Sequence, residues 1–112
     1  MSFRLRQSGR IWLGEFTALT DAGFTNGCSC RLHGASSIVP DGSNLALHVG
    51  DAAELVLANR RQFAAALGVD AAKFTTCAQV HGSKVAKVTA DLVGSGAAAF
   101  ADTVAGTDAL IT

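Results

Sequence analysis

The sequence predicts a mixed α/β fold, and three features carry that prediction. Two short apolar stretches of strand length come first, IWLGEFTA at 11–18 and CSCRL at 28–32. A helical run, DAAELVLANRRQFAAAL at 51–67, follows them. From residue 74 the apolar period drops back to two, the spacing of a strand. With 112 residues the chain is one domain's worth, enough for a core and too short for two independent domains.

The strands at 11–18 and 28–32 are separated by the turn-rich DAGFTNG. HGASSIVPDGSN, at 33–44, must be loop, and its length suggests more than a tight connection. The helix has its own punctuation: Asp51 can cap the N-terminus with Glu54 three residues on, and Gly68 is placed to end it. Val56, Asn59, Phe63, Ala66 and Leu67 fall on one stripe, which puts an amide among apolar neighbours. A buried amide needs partners, and tying down a nearby loop is the reading preferred over ligand contact for Asn59. Phe74, Thr76, Ala78 and Val80 then alternate with Thr75, Cys77, Gln79 and His81, an apolar face against a polar, uncharged one that suits a pocket. KVAKVT at 84–89 continues as strand, residues 94–107 form a Gly- and Ala-rich connection, and DALIT at 108–112 is an apolar strand.

Composition narrows the function classes. Apolar residues make up 49% of the chain and charged ones 16%, which is little charge to coat a small domain and hints at a further buried surface. Nine basic residues cancel nine acidic ones, so the footprint of a nucleic-acid or anionic-membrane binder is missing. Small ligands or protein partners remain. Arg4, Arg6 and Arg10 faintly suggest a transit peptide, but no apolar run of signal-peptide or membrane-span length follows. Cys28, Cys30 and Cys77 are an odd number without disulfide-framework spacing, which fits a reducing compartment, and the expected location is cytoplasmic.

The residues able to carry chemistry are few. A catalytic metal needs roughly three protein ligands and an open position. His81, in QVHG, could be one ligand, with Gln79 beside it to hydrogen-bond substrate or water. A lone histidine next to glycine is also often a hydrogen-bonded structural residue. Cys28, Cys30 and His33 give C-x-C-x-x-H, but structural zinc usually wants C-x-x-C and a second pair, so small buried cysteines are the preferred reading. Arg31, ahead of the small-residue loop HGASS, could clamp phosphate or carboxylate while backbone amides approach the same anion. An ordinary solvated loop is the competing reading, since the lysine and glycine spacing of a Walker A loop are missing. His48 reads as a packing or capping neighbour of the helix.

Taken in order, CRLHGASS (30–37), NLALHVGD (44–51), ANRR (58–61), ALG (66–68), QVHG (79–82) and TDALIT (107–112) resemble the first half of the laccase-domain family. That family is also called the polyphenol oxidase, purine nucleoside phosphorylase or YfiH-like family. The resemblance implies layered mixed β-sheets with flanking helices, of which residues 1–112 are the N-terminal portion of one partial domain. It implies a catalytic zinc with His81 as a ligand, joined by a cysteine and a histidine that come later in the family's sequence. It places Arg31 near the substrate pocket and Asn44 at its border, so Arg31 and Gln79 are the catalytic candidates, and Arg31 and Asn44 the substrate-binding ones. The family's loop normally reads glycine-glycine where His33 and Gly34 stand.

The implied activity is purine nucleoside chemistry: phosphorolysis of adenosine and inosine, cleavage of methylthioadenosine, and deamination of adenosine. The implied partners are a purine nucleoside and phosphate, together with the missing C-terminal half or a complementary chain, without which this segment is expected to be inactive. The alternatives are copper-dependent oxidation of phenols, peptidoglycan-precursor editing, and a non-catalytic fragment. His33, His48 and His81 are too few to build a multicopper centre.

Overall fold

A computed structural model describes residues 2–38 and 41–112, so Val39 and Pro40 of the predicted loop lie outside the described residues. The chain's contacts gather into two compact units, Met1–Val69 and Asp70–Thr112.

In the first unit β1 (Phe3–Ser8) and β2 (Ile11–Phe16) form an antiparallel hairpin, with Phe3 opposite Phe16 and Ser8 opposite Ile11. Gly9, at φ +61°, supplies the left-handed corner of the two-residue turn. The first strand escaped the sequence reading, which took its arginines as a faint targeting signal. Phe3 and Leu5 alternate with Arg4 and Arg6, so the period-two signal was there. One face of the hairpin carries Phe3, Leu5, Trp12 and Phe16, all exposed, with the Phe3 and Phe16 rings edge to face at 5.2 Å. The opposite face carries Ile11, Leu13 and Glu15, all buried.

Arg4 donates to Glu15 Oε2 from Nε and Nη2, at 3.2 and 3.1 Å, and Arg6 donates from Nε to Oε1. Arg6 also reaches the carbonyl of Ala66 at 2.7 Å, which joins the hairpin to the end of the helix. The Arg6 guanidinium, aided by that of Arg4, holds the Glu15 carboxyl below its ordinary value against the opposing effect of burial.

A short helix, α1 (Thr17–Asp21), and a two-residue strand, β3 (Cys28–Ser29), lead away from the hairpin; β3 pairs antiparallel with β2. The predicted strand at 28–32 is therefore shorter. Arg31 and Leu32 turn into the following loop, where Leu32 bridges Gly42. The helix α2 runs Ala53–Leu67, two residues inside its predicted start, and ends at Gly68 as expected. Gly68, at φ +73°, donates to Ala65 O at 3.1 Å and Val69 donates to Ala64 O at 3.0 Å, the paired bonds of a Schellman ending. Ala66 of α2 packs on Ile11 and Leu13, with Phe63 and Leu67 beside them, and this is the core of the unit. Leu13 is fully buried, which removes enough apolar surface from water to contribute roughly 2 kcal/mol.

In the second unit β4 (Val85–Lys87) pairs parallel with β5 (Ala109–Ile111), Val85 opposite Ala109 and Lys87 opposite Ile111. Single 3-10 turns at Ala71–Lys73, Ala90–Leu92 and Phe100–Asp102 fill the intervening chain. The continuous strand expected at 74–81 is not formed. Thr76 and Ala78 do exchange backbone hydrogen bonds with Ser95, Val104 and Thr107, but only as an isolated bridge between Cys77 and Val104. The fold is thus a mixture of helix with antiparallel and parallel strands, as the sequence predicts. Among the described residues no helix is long and apolar enough to cross a membrane.

Candidate functional site

The loop between β3 and α2 is held by two side chains that do not look outward. Asn59, fully buried on α2, accepts from the amide of Ala35 at 2.7 Å and donates to the carbonyl of Asn44 at 2.9 Å. The structural reading of Asn59 holds. Asp51 is the second. It does not cap α2, whose N-cap is Ala52 with no side-chain bond. Instead its carboxylate accepts from the Ser36 hydroxyl at 2.7 Å, the Ser37 hydroxyl and amide at 2.6 and 3.1 Å, and Asn44 Nδ2 at 3.1 Å. The hydroxyls of Ser37 and Ser36 hold the Asp51 carboxyl far below the usual carboxylate range, although desolvation opposes them.

These bonds overturn one expectation. The HGASS loop is expected to let its backbone amides approach an anion, but those of Gly34 to Ser37 are already used: Gly34 donates to Asp41 O, Ala35 to Asn59, Ser36 to Gly42 O and Ser37 to Asp51. Only the Ser37 amide among these meets an anion, and that anion is the protein's own Asp51 carboxylate. The glycine at 34 is required by packing, because a Cβ there would lie 2.2 Å from Gly42 O and 2.4 Å from Ser43 Cα. His33 occupies the left-handed region at φ +68°, which explains why glycine suits that position, and its Nδ1 is buried without a partner among the described residues.

Arg31 is exposed, and its guanidinium makes no hydrogen bond or ion pair among the described residues. Its carbonyl accepts from the amide of Ser43 at 2.7 Å. With Ser29, Cys30, Gly42, Ser43 and Asn44 it lines a cavity of about 270 Å³. Asn44 therefore borders a cavity as expected, while its amide is spent on Ala46 and Asp51. Arg60, buried on α2, donates to Leu45 O at 2.8 Å, and desolvation pulls its pKa down. Cys28 is exposed and Cys30 half-buried, so the small-buried-cysteine reading fails for this pair: β3 is an edge strand too short to bury them. His48 is exposed in the loop that precedes α2.

In the second unit QVHG forms a turn whose centre, His81, adopts φ +59°. Gln79 and His81 were expected to share a strand face; the left-handed backbone at His81 removes that alternation. Consecutive amides converge on one carboxylate: Val80 and His81 donate to Asp108 Oδ1 at 3.0 and 2.8 Å, and Gly82 donates to Oδ2 at 2.8 Å. Gly82 leaves space for that carboxylate, since a Cβ there would sit 3.3 Å from Oδ2. Asp108 also donates its own amide to Lys84 O at 3.1 Å, and its carbonyl takes a long bond of 3.4 Å from Gln79 Nε2. The imidazole of His81 is exposed, and its ring makes no hydrogen bond among the described residues. Sequence reasoning missed Asp108. The available signal was an aspartate opening an apolar strand, a residue type that satisfies backbone amides at turns.

Among the described residues no three His, Cys, Asp or Glu side chains gather into a metal-holding cluster. An exposed imidazole without a competing partner fits one donor position of a zinc ion, and a catalytic zinc takes about three from protein.

The chain is 40% identical over 108 residues to a protein named purine nucleoside phosphorylase YlmD from Geobacillus stearothermophilus, covering 96% of this chain and 39% of the relative. The crystal structure of YlmD from Geobacillus stearothermophilus superposes with a TM-score of 0.83 at 36% identity, over 95% of this chain and 39% of that one. The crystal structure of the hypothetical protein YfiH from Bacillus licheniformis does so with a TM-score of 0.71 at 30% identity, over 75% and 32% of the two chains. The chain thus spans well under half the length of these relatives. Residues 25–112, which include the loop, α2, the His81 turn and β5, match the family described as multi-copper polyphenol oxidoreductase laccase, and the chain belongs to that family.

Proposed function

We propose that this chain is the N-terminal portion of a zinc-dependent purine nucleoside enzyme that phosphorolyses adenosine and inosine, cleaves methylthioadenosine and deaminates adenosine. The observation that carries the reading is the exposed imidazole of His81, presented on a turn fixed by its own backbone amides, in a chain 40% identical to a protein named purine nucleoside phosphorylase.

In phosphorolysis a phosphate oxygen bonds to C1′ of the ribose as the bond from C1′ to the purine nitrogen breaks, and the departing nitrogen takes up a proton. Arg31 is the residue for the phosphate. Its planar fork matches an oxyanion in bidentate fashion, and it stands exposed, lining a cavity, with no ion pair to break among the described residues. A volume of about 270 Å³ lies just below the range of drug-sized pockets and leaves ample room for an anion of phosphate size. Asn44 also lines the cavity, and Gln79, with only a long bond to Asp108 O, keeps its amide for substrate or water. His81 would hold the zinc together with donors from the rest of the family's domain. When bound, zinc supplies a water of lowered pKa, the nucleophile that deamination needs.

The family's description favours a second reading, copper-dependent oxidation of phenols. The complete gene product separates the two. Phosphate-dependent release of adenine from adenosine, with no oxygen uptake on phenols, is the expected result; phenol oxidation without base release would overturn the nucleoside reading.

A further inference from the structure

We propose that Asp108 is the positioning residue for His81: its carboxylate locks the QVHG turn so that the imidazole is already aimed when the metal arrives. The inference rests on the ligand role proposed above for His81.

The argument begins with what the turn costs. A histidine in the left-handed region is disfavoured by the approach of its Cβ to the following carbonyl, and the fold tolerates it only where other contacts over-determine it. Asp108 supplies those contacts. Three consecutive amides, those of Val80, His81 and Gly82, point at one carboxylate within 2.8–3.0 Å, the concave arrangement in which successive N–H groups hold an anion. Such bonds to a full negative charge are roughly twice as strong as neutral ones. The carboxylate is itself anchored, because the Asp108 amide bonds Lys84 O and the next residue enters β5, which is paired with β4. The direction in which the exposed side chain leaves the backbone is in this way fixed by a residue 27 positions away in sequence. A turn that only had to reverse the chain would be served better by glycine or asparagine at position 81. The strain is borne where a side chain of particular chemistry is presented.

The test uses the complete gene product as wild type, Asp108→Asn, Asp108→Glu and His81→Ala. Zinc affinity is measured by chelator competition, the melting temperature is recorded, and amide exchange is followed at Val80–Gly82. In Asp108→Asn one oxygen becomes an NH2 facing an amide donor, so zinc affinity should fall about tenfold or more. Exchange at Val80–Gly82 should quicken while the β4 amides stay protected. Asp108→Glu, which restores the charge one methylene further out, should recover part of the affinity. It also serves as the test variant if Asp108→Asn does not fold. Loss of zinc in His81→Ala combined with wild-type affinity in both Asp108 variants would overturn the positioning role alone. Wild-type affinity in His81→Ala would overturn the ligand role and this inference with it.

Discussion

Asp51 and Asp108 each do for this chain what a bound anion does at other loops: they collect backbone amides and hydroxyls that would otherwise face solvent unpaired. Because the folded Asp51 carboxyl is held far below its ordinary value, its contribution to stability is complete above the unfolded pKa and is lost as pH falls. Urea midpoints of the wild type should therefore drop as pH is lowered below about 4. Asp51→Asn should be less stable at neutral pH and show a shallower decline, with Glu15, shifted downward by Arg6 and Arg4, and Asp91, shifted downward by the Thr89 hydroxyl, contributing to the slope that remains. The same loop yields a sharper pair of substitutions. Replacing His33 by glycine removes a left-handed side chain and an unpartnered buried nitrogen, and should raise stability by about 1 kcal/mol. Gly34→Ala should lower it by about 1–3 kcal/mol or more, since the new methyl meets the Gly42 and Ser43 backbone. Denaturant titration reads both. At this scale the residues were legible and their partners were not. Asp51 looked like a helix cap because capping is a local pattern, whereas Ser36 and Ser37 reach it from 14 or 15 positions away.

Among the elements, legibility follows the range of the forces involved. The helix Ala53–Leu67 and its glycine ending were readable because propensity, apolar stripe and C-terminal signal all act within a few residues. Asn59 was readable for the same reason: an amide inside an apolar stripe must be paired, and the loop was the nearest partner. Truncating Asn59 to alanine leaves the Ala35 amide and the Asn44 carbonyl without their partner, which should cost roughly 2–4 kcal/mol in denaturant unfolding and speed amide exchange at Ala35. The segment 74–81 was misread because alternation of side chains reports only an extended backbone. Whether an extended segment becomes a strand depends on its neighbour, and here the neighbour is Ser95–Thr107, a stretch of glycine and alanine that carries no pairing signal. β1 was lost for the opposite reason. Its arginines suggest a targeting signal, and the buried Glu15 that claims them lies on the next strand.

At the scale of the whole molecule, two compact units each carry part of the proposed chemistry: Arg31 and its cavity in Met1–Val69, His81 and its carboxylate lock in Asp70–Thr112. The six short motifs that suggested the family fall in both units, and the relation to YlmD covers 96% of this chain but 39% of the relative. That ratio explains why the mixed fold could be read from the sequence while the proposed metal centre could not: the fold of each unit is set by contacts within it, but a zinc ion would require donors that the described residues do not assemble. The proposed activity therefore turns on one imidazole. The most direct measurement is the zinc content and the phosphate-dependent adenosine cleavage of the purified complete gene product, compared between wild type and His81→Ala. The account predicts stoichiometric zinc and turnover in the wild type, and loss of both in a variant that still melts cooperatively near the wild-type temperature. A His81→Ala protein that keeps its zinc and cleaves adenosine at the wild-type rate would contradict it.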